Sequence, residues 1–103
     1  MKKRNEFRLF INGEWVKSES GETFPSIDPA RERVLAYFQQ GNEEDVKKAV
    51  DAAGGVYEKW SSTPAPRRGE ILYRAAQLLE KNKGRLAHIM THEMGKVLKE
   101  SQG

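Results

Sequence analysis

The chain has 103 residues, a formal net charge of +3 and no cysteine, and this length suits one small domain. Lys2, Lys3 and Arg4 account for the excess charge, because 15 basic and 15 acidic residues remain once they are set aside. A one-sided basic surface is therefore not predicted, and we expect no nucleic-acid partner. Without cysteine, the chain has no disulfide, no cysteinyl zinc site and no thiol nucleophile of its own.

The first residues are basic but no apolar run follows them, so a secretory signal is not predicted. No stretch approaches the roughly 18 apolar residues that a membrane span needs. We therefore expect no membrane partner and a cytoplasmic location.

Two short apolar runs flank the dipeptide Asn12-Gly13. Asn-Gly favours a two-residue type I′ turn, in which both central residues have positive φ. The sequence therefore predicts a β-hairpin with strands at residues 8–11 and 14–17.

Two further extended segments follow the hairpin. Residues 23–27 form the first, and Pro25 makes it an edge or irregular strand because proline cannot donate to a ladder. A turn is expected at Asp28-Pro29-Ala30, where the proline pushes Asp28 toward extended geometry. Residues 33–39 are apolar and aromatic, which predicts a strand that ends before Gly41.

The first helix is expected to begin after Asn42, a good N-cap residue. Asp45 stands at the third helical position and completes an approximate capping box. Gly54-Gly55 interrupts the helical pattern, which predicts a weakened or bent helix or the close approach of another element. The apolar positions on one face are Val46, Ala49, Val50, Ala53, Tyr57 and Trp60.

A second helix should begin near Pro64 and Pro66, since proline is tolerated in a first turn. Its apolar stripe comprises Leu72, Ala75, Ala76 and Leu79. Around residues 82–84 the pattern breaks or bends into a third helix, with Gly95 placed inside it. The apolar residues of that third helix are Leu86, Ile89, Met90, Val97 and Leu98.

These stripes and the aromatic residues exceed the apolar surface that a few short strands can cover. We therefore expect exposed apolar surface that packs onto sequence outside this chain. The aromatic residues concerned are Phe10, Trp15, Phe38, Tyr57 and Trp60.

Three side chains on the predicted third helix invite a metal-site hypothesis. His88 and His92 share a face at i, i+4 spacing, but no carboxylate lies between them and a zinc site needs a third ligand. We interpret both as solvated histidines. Glu93 instead falls within the apolar stripe, where a carboxylate needs an ion pair, hydrogen bonds or a cation. A salt bridge and a cation-binding or helix-anchoring role are both consistent with that position.

Five sequence elements, in this order and spacing, resemble the amino-terminal region of the aldehyde dehydrogenase superfamily. They cover almost the whole chain. They are Phe10-Ile11-Asn12-Gly13-Glu14-Trp15; Phe24-Pro25-Ser26-Ile27-Asp28-Pro29; Asn42-Glu43-Glu44-Asp45-Val46 with Ala49-Val50-Asp51-Ala52-Ala53; Trp60, Arg68 and Ile71-Leu72; and Glu93-Met94-Gly95-Lys96.

The resemblance implies an α/β fold in which residues 1–103 form the amino-terminal part of a Rossmann-type nucleotide-binding domain. Within it we expect a flexible basic tail at 1–6, strands at 7–41 and helices at 42–103. The nucleophilic cysteine and the residues that bind NAD or NADP would lie beyond this chain, which is expected to be inactive alone. The implied partners are the remainder of the enzyme, a small aldehyde and further copies in a dimer or tetramer.

The family pattern also implies a monovalent cation site. Many members bind the cation through backbone carbonyls, here those of Ser26 and Ile27, and through an acid, here Glu93. The segment Thr63–Glu70 resembles branches of the family that act on semialdehydes such as 2-oxoglutarate semialdehyde.

A second hypothesis is a non-catalytic chain, either an interaction module or a separate subunit that retains the front end of the fold. Exposed apolar surface is consistent with both hypotheses. The presence or absence of a downstream cysteine nucleophile would discriminate between them.

Overall fold

The computed structural model describes residues 5–103. Within these residues five strands precede four helices, which confirms the predicted order. Of the predicted basic tail, residues 1–4 lie outside the described part of the chain. Glu6 already belongs to the first strand, so the strands begin one residue earlier than predicted.

The strands form two sheets. β1 (Glu6–Phe7), β5 (Arg33–Gln39) and β4 (Thr23–Asp28) make a three-stranded sheet in the order β1-β5-β4, with β1 parallel to β5. β2 (Leu9–Ile11) and β3 (Glu14–Val16) form an antiparallel hairpin. β4 lies at an edge of its sheet, as its proline predicts.

The Asn12-Gly13 turn has the geometry that its sequence predicts. Asn12 has φ 54° and Gly13 has φ 77°, so both central residues are in the left-handed region of a type I′ turn. The register pairs Leu9 with Val16 and Ile11 with Glu14. The hairpin is therefore confirmed, with slightly shorter strands than predicted.

The helices are α1 (Glu43–Ser62), α2 (Ala65–Lys81), α3 (Lys83–Met94) and the short α4 (Leu98–Ser101). α1 is continuous through Gly54-Gly55. Apart from the adjacent residues and the backbone of α1 itself, no described atom lies within 4 Å of the positions that their Cβ atoms would occupy. Within residues 5–103, the two glycines therefore do not accommodate a neighbouring element.

The third helix is shorter than predicted. Gly95 ends α3 in the left-handed conformation, with φ 77°, and its N–H donates to the Thr91 carbonyl over 2.8 Å. This is an αL cap, a position that glycine occupies without a steric penalty. Placing Gly95 inside the helix was therefore wrong, and Leu98 belongs to a separate helix.

The chain divides into two compact units. The first contains residues up to 27 together with 32–57, and the second contains 28–31 together with 58–103. In the first unit, Phe38 stacks on Phe7 with ring centroids 5.4 Å apart and lies 6.1 Å from Phe24. The hydroxyl groups of Thr91 and Ser101 are 2.8 Å apart in the second unit, linking α3 to α4.

Candidate functional site

The Asp28 carboxylate is the most buried acid among the described residues, with 2% of the residue exposed. Its Oδ1 accepts hydrogen bonds from the backbone N–H groups of Ala30 at 2.9 Å and Arg31 at 3.2 Å. Its Oδ2 lies 3.4 Å from Nδ1 of His92 and 3.6 Å from the Arg31 guanidinium. One oxygen therefore organises the turn after β4, and the other meets two side chains that can be cationic.

These contacts set the charge state of Asp28. Burial by itself raises the pKa of a carboxyl group. The N–H groups of Ala30 and Arg31, the His92 ring and the Arg31 guanidinium act in the opposite direction, and the net effect lowers the pKa of Asp28 below its ordinary value. Asp28 is therefore a carboxylate at neutral pH.

The two histidines of α3 differ. His88 is exposed and has no hydrogen bond or ion pair in the described part of the chain. His92 keeps 45% of its side chain exposed but contacts Asp28. Both histidines are exposed, as predicted, but His92 also contacts Asp28, a partner far away in the sequence that the prediction did not include. No group of three or more metal-ligating residues occurs within residues 5–103.

The residues of the predicted cation site are distributed between the two units. Ser26 is half-buried and Ile27 is 51% exposed, both at the end of β4 in the first unit. Glu93 is exposed near the end of α3 in the second unit. The Glu93 carboxylate has no hydrogen bond or ion pair within residues 5–103, so its oxygens are free to bind a ligand.

The exposure of Glu93 follows from the way α3 packs in this chain. Ala87 is buried and Leu86 and Thr91 are half-buried, whereas Ile89 and Met90 remain 43% and 40% exposed. Glu93 lies beside Ile89 on the helix, at the open side of the predicted apolar stripe. Its position in the stripe therefore does not bury it here.

A second buried carboxylate, Asp45, joins the start of α1 to the loop before β4 in the first unit. We call these contacts of Asp45 with Asn42 and Glu19 the polar corner. Its Oδ2 accepts from the Asn42 N–H at 2.9 Å, and the Asn42 side chain accepts from the Asp45 N–H at 3.1 Å. Its Oδ1 accepts from the Glu19 N–H at 3.0 Å. The capping box is confirmed, and it also anchors the loop before β4.

A neighbouring polar network holds the end of β5. The Gln39 side chain accepts from the Ser18 N–H at 2.9 Å and donates to Glu6 at 2.9 Å and to the Phe7 carbonyl at 3.3 Å. Ser18 and Gln39 are both 5% exposed. β1 therefore depends on a long-range polar contact, which explains why local sequence patterns did not predict it.

The apolar faces of the helices remain open. Among the described residues only Ala36 and Ala87 are buried apolar residues, and no large side chain is fully buried. The most exposed apolar side chains, each above 60%, are Trp15, Val46, Val50, Tyr57, Leu72, Tyr73, Leu78, Leu79, Met94 and Val97. So many exposed large apolar side chains beside only two buried apolar residues among residues 5–103 confirm the expected open core.

One part of that surface is concave. A groove of about 360 Å³ lies in the first unit between the hairpin turn and α1. Phe10, Ile11, Asn12 and Gly13 line one side, and Ala49, Ala52, Ala53 and Val56 line the other.

No helix within residues 5–103 is long and apolar enough to cross a membrane.

The chain matches known proteins over nearly its whole length. The model of the aldehyde dehydrogenase family matches residues 15–103. A malonate-semialdehyde dehydrogenase of Bacillus cytotoxicus is 45% identical over 93 residues, which cover 90% of this chain and 19% of that protein. The chain thus spans about a fifth of the length of the curated relatives it matches.

Solved structures show the same similarity. 3,6-Anhydro-L-galactose dehydrogenase in complex with NAP, that is NADP, has a TM-score of 0.93 at 34% identity over 96% of this chain and 21% of that one. A putative methylmalonate-semialdehyde dehydrogenase from Sinorhizobium meliloti 1021, complexed with NAD, has a TM-score of 0.90 at 28% identity. That match covers all of this chain and 21% of the other.

Proposed function

Since the chain belongs to the aldehyde dehydrogenase family, we propose that it is the amino-terminal part of an enzyme that oxidises an aldehyde to a carboxylic acid with NAD or NADP. The observation that supports this most directly is the family match over residues 15–103, combined with coverage of about a fifth of each relative. The open apolar faces agree with it, because they require a covering.

The chemistry of the proposed reaction lies outside these 103 residues. A cysteine thiolate outside this chain would add to the aldehyde carbon, the resulting thiohemiacetal would lose a hydride to the nicotinamide cofactor, and water would then release the acid from the thioester and regenerate the thiol. This chain contains no cysteine. Its glycines do not form a phosphate-binding fingerprint, so we assign none of its residues to the nicotinamide cofactor, which accepts the hydride. The role of this chain is to build and support the nucleotide-binding domain.

For the substrate we propose a small semialdehyde that carries an acid group. Semialdehyde dehydrogenases appear among both the relatives and the solved structures, and the segment Thr63–Glu70 led to the same substrate class. A dimer or tetramer and a cytoplasmic location stay predictions from the sequence.

We also propose that the complete enzyme binds a monovalent cation through Ser26, Ile27 and Glu93. The donors would be two backbone carbonyls and a carboxylate, the oxygen ligands that hard cations prefer. The lack of any other partner for Glu93 within residues 5–103 supports this assignment.

The test is NAD(P)H formation by the complete protein and by the purified 103-residue chain. The complete protein should reduce NAD or NADP with malonate semialdehyde and do so faster than with propanal, which has the same number of carbons but no acid group. The isolated chain should give no signal above buffer. A complete protein that is inactive with both aldehydes would favour the non-catalytic interaction module. Activity of the isolated chain would contradict the proposal that the catalytic residues lie outside it.

A further inference from the structure

The turn that begins at Asp28 is attached to the last turn of α3 by two contacts. The first is the hydrogen bond between Asp28 and His92. The second is the packing of Pro29 on Gly95, where Cγ of the proline lies 3.0 Å from the position that a Cβ would occupy. Both contacts lie within the second unit, and they flank Glu93 in the sequence.

Glu93 has nothing else in the described chain to orient it. It is exposed, it has no hydrogen bond or ion pair within residues 5–103, and it stands one residue before the end of α3. Helix ends fray, so an unsupported carboxylate in a last turn samples many positions. A ligand that needs it in one position must then bear the cost of ordering it.

We propose that Asp28 is a positioning residue for Glu93 and acts through His92. Successive side chains on a helix are about 100° apart, so holding the His92 side chain on Asp28 fixes the rotation of this helix end about its axis and with it the side of the helix from which the Glu93 side chain extends. The Pro29–Gly95 contact limits movement of the helix end. The arrangement preorganises Glu93 for a monovalent cation, and this inference rests on the proposed function of the complete enzyme.

The two oxygens of Asp28 have separate tasks in this arrangement. Oδ1 already holds the turn through two backbone N–H groups, so the turn does not depend on His92. Oδ2 is the oxygen directed at His92. Removing the imidazole therefore releases Glu93 without dismantling the turn, which makes His92 the sharper position for substitution.

The test measures how potassium raises the thermal midpoint of the complete enzyme, with choline replacing potassium to keep ionic strength constant. His92→Ala should raise the potassium concentration for half-maximal stabilisation by about tenfold, the low end for loss of a group that orients a metal ligand. Glu93→Gln should abolish the response. His88→Ala is the matched control, because His88 is one turn earlier on α3 and has no hydrogen bond or ion pair with any residue that the structure describes, and it should leave the response unchanged.

Asp28→Asn adds a second test, because its carbonyl can replace Oδ1 at the turn while its amide replaces Oδ2. It should retain the turn and shift the potassium response in the same direction as His92→Ala. Equal potassium responses for His92→Ala and His88→Ala would overturn the proposal. So would a wild-type enzyme that does not respond to potassium or sodium, although NAD(P)H formation would then still support the dehydrogenase function.

Discussion

The polar corner at Asp45 and the apolar face of α1 belong to the same helix, yet only the corner is closed. Asp45 is 5% exposed, whereas the next residue, Val46, is 61% exposed. The corner needs only backbone groups nearby, which residues 19 and 42 supply. The apolar face needs a large complementary surface, which the described residues do not supply.

The same contrast holds in the second unit. Asp28 is buried by its own turn and by His92, while Leu72 and Leu79 of α2 remain more than 60% exposed. A few hydrogen bonds, mostly to backbone N–H groups, are therefore enough to bury the carboxylates of Asp28 and Asp45. The described residues do not bury the apolar faces of the helices, and the chain spans about a fifth of the length of the relatives it matches.

The largest expected effect is the loss of folding stability caused by Leu72→Gln, which should differ between the isolated chain and the complete enzyme. Leu72→Gln should change the stability of the 103-residue chain by less than about 0.5 kcal/mol, because the side chain is already exposed. In the complete enzyme it should cost about 2–4 kcal/mol, since a polar group would replace a buried leucine. Thermal denaturation of both proteins gives the comparison.

Gln77→Ala is the control for that experiment, because residue 77 lies opposite the apolar stripe of α2 and is exposed. It should have little effect in either protein. Equal tolerance of Leu72→Gln in both proteins would mean that the apolar face of α2 stays open in the complete enzyme.

A smaller effect is expected at the end of α3. Gly95→Ala should destabilise the chain by about 1–2 kcal/mol, because a side chain at positive φ is strained and its Cβ would lie 3.0 Å from Pro29. Gly84→Ala, inside the same helix and with open space around it, should instead stabilise by up to about 1 kcal/mol. Urea denaturation measures both, and a neutral Gly95→Ala would show that the cap is dispensable.

The two buried aspartates should respond differently to asparagine. Asp45 uses a separate oxygen for each of two backbone N–H groups, so Asp45→Asn leaves one donor unpaired and should cost about 1 kcal/mol. Asp28 accepts both backbone N–H groups with Oδ1, and Asp28→Asn should keep the turn. Amide exchange at residues 19, 30, 31 and 42 tests this directly, and equal loss of protection at the two corners would contradict it.

The smallest effect concerns acid pH. The pKa of Asp28 is lowered in the folded chain, so its contribution to stability is present above the ordinary value of 3.8 and disappears as pH falls through the lower folded pKa. Asp28→Asn should remove this part of the acid dependence below the ordinary pKa of 3.8, as followed by circular dichroism. An unchanged acid profile in that variant would assign the dependence to other carboxylates.

The parts of the fold that the sequence predicted are those with local causes. The Asn12-Gly13 turn, the strand at 33–39 and the Asn42–Asp45 capping box depend on neighbouring residues and were confirmed. The short strand β1 was missed because it pairs with a distant strand and is supported by Gln39. Helical periodicity placed Gly95 inside a helix. It could not show that Gly95 packs against Pro29, which lies 66 residues earlier in the sequence.

The candidate site was predicted less completely, for the same reason. Family resemblance suggested Ser26, Ile27 and Glu93 as a cation site, which stays a prediction, but it gave no indication that His92 would contact Asp28. The i, i+4 spacing of His88 and His92 suggested either a metal site or two solvated side chains. In the structure His92 differs from His88 because it contacts Asp28, 64 residues earlier in the sequence. No local pattern in the sequence encodes that partner.

The most direct test of the account is the state of the isolated 103-residue chain in solution. Its exposed apolar faces should bind an environment-sensitive dye strongly and drive self-association, as native mass spectrometry and dye fluorescence would show. When the same residues are part of the complete enzyme, the dye signal should disappear and the irregular self-association should give way to one defined oligomer. A monodisperse monomer that does not bind the dye would show that the core closes without the rest of the enzyme, which contradicts the account.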